Sequence, residues 1–134
     1  MGMDVYGKKP KSQTGEHFRR SHHGWSFLMN AVFNLVDPSI TEKCHYWHSC
    51  DGDGLDDDNS VALAAALQRH LEPNGDLSKA LADLDKLRSE PEPEWNERDL
   101  QTLHNAIADI KFLMEEDIPE FIAFLKQSGG FQIC

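Results

Sequence analysis

Apolar side chains recur three and four positions apart in five stretches of the chain, and this spacing marks one face of a helix. The clearest stretch runs from Trp25 to Val36 and ends just before Pro38. The other four cover residues 61–71, 77–87, 96–114 and 117–127. The pattern therefore predicts five helices.

Polar residues at the start of these stretches are candidate helix caps, because their side chains accept hydrogen bonds from the first backbone amides of a helix. The second helix can be capped by Asn59 or Ser60, and the third by Asp76. The longest helix begins at Asn96, and the last opens at Asp117. Each predicted start thus has a physical reason.

Alternation of apolar and polar residues, which is typical of a half-buried strand, is not convincing in any part of the sequence. The sequence therefore predicts an all-α fold, a single domain over residues 1–134 with about five helices around one core. Residues 1–23 are polar and rich in turn formers, which predicts an irregular N-terminal arm packed on that core. One helical turn is expected near Glu16–Arg20. A loop rich in aspartate and glycine follows the first helix.

The net charge of −10 is distributed unevenly along the 134 residues. Residues 1–23 carry five lysines and arginines against two acids, whereas residues 51–134 carry seven against nineteen. A basic arm thus precedes an acidic body. Because an acidic surface repels phosphate backbones, we expect no nucleic-acid partner.

The chain shows no signal for a membrane or for export. No apolar run approaches the ~20 residues that cross a bilayer, and the N-terminus lacks the apolar core of a secretory signal. We therefore predict a cytoplasmic protein without a membrane partner. Three cysteines are an odd number, which argues against a disulfide framework. Cys134 is expected to be exposed and mobile, and the roles of Cys44 and Cys50 stay open.

Residues 44–60 contain two histidines, two cysteines and five aspartates, and this density suggests a divalent-cation site. Carboxylate oxygens suit Ca²⁺ or Mg²⁺, although an EF-hand counted from Asp51 fails because its twelfth position is Ala62. Nitrogen and sulfur donors suit Zn²⁺, although their spacing is not that of a structural zinc site. The candidate ligands are Asp51, Asp53, His48 and His45.

A simpler interpretation of the same loop is an exposed turn before a helix. Aspartate and glycine satisfy turn geometry, and aspartates are favourable near the positive N-terminal end of a helix. Asp56, Asp57 and Asp58 precede the second predicted helix, where that effect operates. We favour this interpretation over a metal site.

Aromatic and charged residues in the arm form a second candidate group. In the functional interpretation they form a cleft between the arm and the body, in which Arg19 binds an anionic group and a histidine transfers a proton. The group comprises Tyr6, His17, Arg19, His22, His23 and Trp25. In the alternative interpretation, which we favour, the aromatic side chains only anchor the arm and the charges are solvated.

The first sixty residues also carry short motifs at Met3–Gly7 (Met-Asp-Val-Tyr-Gly) and Gly15–Arg19 (Gly-Glu-His-Phe-Arg), followed by Trp25 and by Asp51–Leu55. This pattern resembles a family of small bacterial proteins that share a Met-Asp-Val-Tyr-Gly start, a Gly-Glu-aromatic-Phe-Arg step and a tryptophan-bearing helix. The family has no known function. The resemblance therefore implies no activity, but it implies that the arm and the acidic loop recur together in members of that family.

Three functional hypotheses follow from these residues. The favoured one is a small binding or interaction module, with a protein as the expected partner, whose binding face combines the arm with the 44–60 loop. That face would bind a cation if the loop is a metal site. The alternatives are a metal-assisted hydrolase that uses the loop histidines and aspartates, and an acidic mimic that binds a basic protein. A binding role is preferred to an enzymatic one, and the oligomeric state is left open.

Overall fold

A four-stranded antiparallel sheet forms one layer of the protein, as shown by a computed structural model that describes residues 2–134. Met1, which the predicted arm included, lies outside the described residues. In chain order the strands are β1 (Gly2–Gly7), β2 (His17–Ser21), β3 (Gly54–Asp56) and β4 (Gly130–Ile133). Their order across the sheet is β2-β1-β4-β3.

Helices form the second layer. In chain order they are α1 (His22–Leu35), α2 (Pro38–Thr41), α3 (Asp57–Leu71), α4 (Asp76–Ser89), α5 (Glu97–Phe112) and α6 (Ile118–Gln127). A 3₁₀ turn (Gln13–Gly15) precedes β2, and a π-helical turn (Leu113–Asp117) joins α5 to α6. Five of these helices correspond to the five predicted from the apolar spacing, and only the four-residue α2 is additional.

The prediction of an all-α fold is wrong, because the arm and the acidic loop both contribute strands. Residues 1–23 were expected to be irregular, yet β1 and β2 pair with Val5 opposite Phe18. The helical turn expected near Glu16–Arg20 is not formed, because β2 begins at His17 and includes Arg20. Alternation is present in β1, where Met3 and Val5 are buried while Tyr6 is exposed. This alternation covers too few residues to be recognised in the sequence.

Strand β4, one of the two inner strands of the sheet, comes from the C-terminal end of the described chain. It pairs with β1, placing Val5 opposite Ile133, and with β3, placing Leu55 opposite Phe131. Gly129 and Gly130 have φ values of +67° and +93°, a conformation that glycine adopts without strain, and they turn the chain from α6 into β4. The sheet therefore closes only when residues far apart in sequence meet.

One hydrophobic core lies between the sheet and the helices. The inward side chains of all four strands are at most 6% exposed, and they are Met3, Val5, Phe18, Leu55, Phe131 and Ile133. Phe18 contacts three other core rings, with centroid distances of 5.1 to 6.4 Å, and these rings are Trp25, Phe121 and Phe124. The opposite face of the sheet carries exposed polar and aromatic side chains, including Tyr6 and Gln132.

The helix starts agree with the capping predictions only in part. Asn96, at which the longest helix was predicted to begin, caps α5 in a reciprocal capping box with Asp99. The start of α3 is capped by Asp56, whose carboxylate accepts from the amide of Asn59, whereas Ser60 is buried inside the helix. The α3 start is thus set by the end of β3, which the sequence pattern did not reveal.

Two of the three cysteines form a disulfide between Cys50 and Cys134, with Cα atoms 4.8 Å apart. The prediction of a mobile Cys134 is wrong, since its amide also donates to the carbonyl of Asp4 at 2.6 Å. Cys44 remains a thiol and is 2% exposed, and burial raises the pKa of this thiol to about 12. Within residues 2–134 no helix combines the length and the apolar character that crossing a bilayer requires.

Thiol counting tests this pairing. We expect the oxidised protein to show no reactive thiol when native, because Cys44 is buried and its pKa is far above neutral. One thiol should react after unfolding, and all three should react after unfolding with a reductant. Reaction of three thiols in unfolded protein that has not been reduced would contradict the pairing.

Reduction should also lower the stability. The disulfide joins residues separated by 84 positions, so breaking it restores much conformational freedom to the unfolded chain. We expect the free energy of unfolding to fall by about 2–4 kcal/mol, as measured by denaturant titration. The double variant C50S/C134S is the control: it should match the reduced protein and should not respond to reductant. Equal unfolding midpoints with and without reductant would refute the expectation.

Candidate functional site

The carboxylate of Asp53 organises the backbone of the 44–53 loop. Its Oδ2 atom accepts from the amides of His45 at 2.8 Å and Tyr46 at 3.0 Å, and its Oδ1 atom accepts from the amide of Gly54 at 2.8 Å. The amide of His45 contributes most to holding the pKa of this carboxyl below its usual range. The carboxylate therefore folds the loop back on itself just before β3.

The loop is also tied to the sheet. The amide of Gly52 donates to the carbonyl of Ile133 at 3.0 Å, and the amide of Ile133 donates to the carbonyl of Asp53 at 2.7 Å. These bonds continue the β3–β4 ladder beyond the end of β3.

Two tryptophan side chains attach the loop to the helical layer. Trp25 on α1 is 1% exposed, and its Nε1 atom donates to the carbonyl of Trp47 at 2.7 Å. The Nε1 atom of Trp47 donates to the carbonyl of Thr41 at 3.0 Å. Because Trp25 and Trp47 are both buried, these bonds fix the middle of the loop against the core.

Aromatic side chains from this loop and from α1 surround a pocket of about 350 Å³, and its six lining residues are Phe33, His45, Tyr46, Trp47, His48 and Ser49. The ring of Phe33 meets the ring of Trp47 at 5.7 Å and 80°, and the ring of His48 at 6.0 Å and 77°. Phe33 is 38% exposed and Tyr46 is 60% exposed. The pocket is thus an open, ring-lined depression whose floor is held by a buried tryptophan.

Negative charge borders the pocket. Ser49, one of the lining residues, donates from Oγ to Oδ2 of Asp51 at 2.7 Å. Two other carboxylates of the loop region, Asp56 and Asp57, line a separate cleft together with three lysines. The negative charge next to the pocket is therefore that of Asp51, and it attracts a cationic ligand.

The four predicted metal ligands lie in this loop but do not converge. Asp53 accepts from three backbone amides, and Asp51 accepts from Ser49, whereas His45 and His48 line the aromatic pocket. Within the described range 2–134, no group of three His, Cys, Asp or Glu side chains is placed to hold a metal ion. The prediction of a Ca²⁺, Mg²⁺ or Zn²⁺ site therefore gains no support from the geometry.

Two of the other predicted binding residues meet on the outer face of the sheet. Asp4 accepts from Arg19 at 2.7 Å and is paired with the ring of His17 at 2.8 Å, and Tyr6 stacks on that ring at 5.0 Å. The bond from Arg19 contributes most to holding the pKa of Asp4 low. Trp25 does not belong to this group, because it is buried beneath the loop. Arg19 is therefore already paired with a carboxylate of the same sheet face.

Phe33, Tyr46, Trp47 and Ser49 were not among the predicted site residues. The run His45-Tyr46-Trp47-His48 is a visible aromatic signal, but its interpretation as a metal motif hid its role as a pocket wall. Phe33 lies off the buried stripe of α1, and nothing in the sequence connects it to the loop.

Asp117 was predicted to open the last helix, but its side chain caps no backbone amide there and is instead a buried carboxylate. Asp117, in the π-helical turn, is 1% exposed and accepts from Nε of Arg20 at 3.0 Å, while Arg20 also pairs with Glu120. Burial raises the pKa of Asp117. The guanidinium of Arg20 lies 4.3 Å from the ring centroid of Phe18, so this cluster joins the edge of the sheet to the start of α6.

A second apolar groove lies between α4 and α5, with a volume of about 400 Å³. Its walls include Leu84, Trp95 and Leu103, and its one charged lining residue, Asp99, is part of the α5 capping box. The groove therefore has fewer groups available for recognition than the aromatic pocket.

Compared with protein-family models, curated proteins and solved structures, the chain shows no match to any of them. The site must therefore be interpreted from its own geometry.

Replacing Asp53 should loosen the loop. We expect D53A to lower the free energy of unfolding by about 1–2 kcal/mol, because three backbone amides lose a charged acceptor. The matched control is D51A, whose side chain accepts one solvent-exposed hydrogen bond, from Ser49, and whose loss should change the stability by less than about 0.5 kcal/mol. Equal effects of the two variants, measured by denaturant titration, would contradict the role given to Asp53.

The same carboxylate gives the stability a pH dependence. The pKa of Asp53 is lower in the folded protein than in the unfolded chain, so its contribution is complete above about pH 4 and is lost as the pH falls through the folded value. The difference in stability between the wild type and D53A should therefore shrink below about pH 4. A constant difference down to pH 2 would show that the carboxylate charge is not involved.

Proposed function

We propose that the protein is a binding module whose recognition site is the aromatic pocket formed by Phe33 and residues 45–49. The observation that carries this proposal is the combination of exposed aromatic rings with a backbone fixed from three sides. Tyr46 and Phe33 are both large and exposed, yet the loop between α2 and β3 is held by Asp53, by β4 and by Trp25. Ligand pockets are typically concave, ring-lined and largely preformed.

The energetics favour binding at this position. Aromatic side chains contribute most of the energy at many recognition sites, because they offer a large contact area with few rotatable bonds. A loop that is already ordered loses little further entropy when it binds. A volume of about 350 Å³ suits a single side chain or a small molecule rather than an extended peptide.

The two alternative functions differ in the support they have. A metal-assisted hydrolase needs ligands that converge on one ion, and the described part of the chain presents no such group. An acidic mimic of a basic target agrees with the net charge of −10, and it is compatible with a pocket that receives one side chain of that target. We therefore retain a protein partner within the binding-module proposal and still expect no nucleic-acid partner.

The resemblance to a small bacterial family and the cytoplasmic location stay predictions. The Cys50–Cys134 disulfide argues against the cytoplasmic location, because such bonds persist mainly in oxidising compartments.

Binding of small fragments tests the proposal directly. A panel of compounds with one planar or compact apolar group should perturb the backbone resonances of residues 45–49 in NMR titrations of the whole protein. The variant Y46A should lose this response, because it removes an exposed wall of the pocket.

The matched control is F112A, which removes a 44% exposed ring on α5 outside the pocket and should leave the titrations unchanged. Fragments that perturb other surfaces but never residues 45–49, or that respond identically in Y46A, would overturn the proposal.

A further inference from the structure

We infer that the group bound by the aromatic pocket is an alkylated ammonium cation. This inference rests on the proposed function and adds the chemical class of the ligand. Three features carry it: the exposed rings of the pocket, the carboxylate of Asp51 beside them, and the hydrogen bonds that occupy both oxygens of Asp53 and one oxygen of Asp51.

Two rings of the pocket are open to a ligand, since Tyr46 is 60% exposed and Phe33 is 38% exposed. Phe33 packs nearly perpendicular to Trp47 and His48, at 80° and 77°, and the buried Trp47 holds it in place. His45 and Tyr46 meet at 66° on the same pocket. The face of an aromatic ring is negative, and several faces around one cavity attract a cation that carries methyl groups.

The surroundings add a long-range attraction. The carboxylate of Asp51 reaches the pocket lining through its hydrogen bond with Ser49. A neutral ligand of the same shape would gain the contact area but not this attraction. Discrimination between a cation and its neutral isostere is therefore the property that the inference predicts.

The engaged carboxylates narrow the class of cation. An arginine side chain is bound best by a carboxylate with both oxygens available, but both oxygens of Asp53 accept from backbone amides. One oxygen of Asp51 accepts from Ser49. A primary ammonium is strongly hydrated and needs hydrogen-bond acceptors, whereas an alkylated ammonium needs ring faces and a negative potential without direct hydrogen bonds.

Choline and 3,3-dimethylbutan-1-ol are suitable probes, because they have the same shape and differ in the positive charge. We expect choline to bind at residues 45–49 about tenfold more tightly than the neutral alcohol, measured by NMR titration and by the Nε1–H resonance of Trp47. Y46A should weaken choline binding, and Y46F, which keeps the ring, should preserve it. D51N should weaken choline binding without affecting the alcohol.

Each result separates the two proposals. Equal affinity for choline and the alcohol, or tighter binding of the alcohol, would overturn the cation inference and leave the binding module intact. If neither choline nor the alcohol binds in the pocket, while other fragments perturb residues 45–49, only the cation inference is overturned. If no fragment perturbs residues 45–49, the binding-module proposal is overturned as well.

A peptide that carries one trimethyllysine distinguishes the two sources of such a cation. Binding of the peptide more tightly than choline would support the inference with a methylated protein as the partner. Tighter binding of choline would support it with a small molecule as the ligand.

Discussion

Insertion of β4 between β1 and β3 couples the two ends of the described chain to the loop that carries the pocket. Residues 130–133 pair with the first strand on one side and with residues 54–56 on the other. The ladder continues through Gly52 and Asp53, and the Cys50–Cys134 disulfide closes the same junction covalently. Because the inward side chains of β4 complete the core, an ordered pocket loop and a folded sheet depend on one another.

Within that frame, the polar residues of the loop shape its backbone and the aromatic residues form its surface. Asp53 binds three amides, Asp56 caps α3, and neither needs a metal to be satisfied. The rings of Tyr46 and Phe33 are left partly exposed above a buried tryptophan. A loop that looks like a cation site in the sequence thus uses Asp53 and Asp56 as internal hydrogen-bond acceptors, and the side chains of residues 45–49 line its pocket.

Local pattern predicted the helices well, since each of the five has enough residues for its apolar spacing to repeat. Asn96 shows how a cap can be identified when its partner Asp99 is three residues away. The strands were missed because each has only three to six residues, too few for a repeating pattern. In addition, no short-range sequence pattern indicates that Val5 pairs with Ile133 at the far end of the described chain. The sequence drew attention to the loop at 44–60, but the pocket that this loop lines also depends on Phe33, which belongs to another element.

Native-state hydrogen exchange at the amides of His45 and Tyr46 tests most directly whether the pocket loop is built into the fold. Both amides donate to Asp53, and the next residue, Trp47, is fixed to Trp25. If the loop is ordered together with the sheet, these two amides exchange slowly, with protection comparable to that of the Ile133 amide in β4. Exchange of His45 and Tyr46 at the rate of an unprotected peptide, while Ile133 stays protected, would show that the loop is a mobile surface turn and would contradict the account.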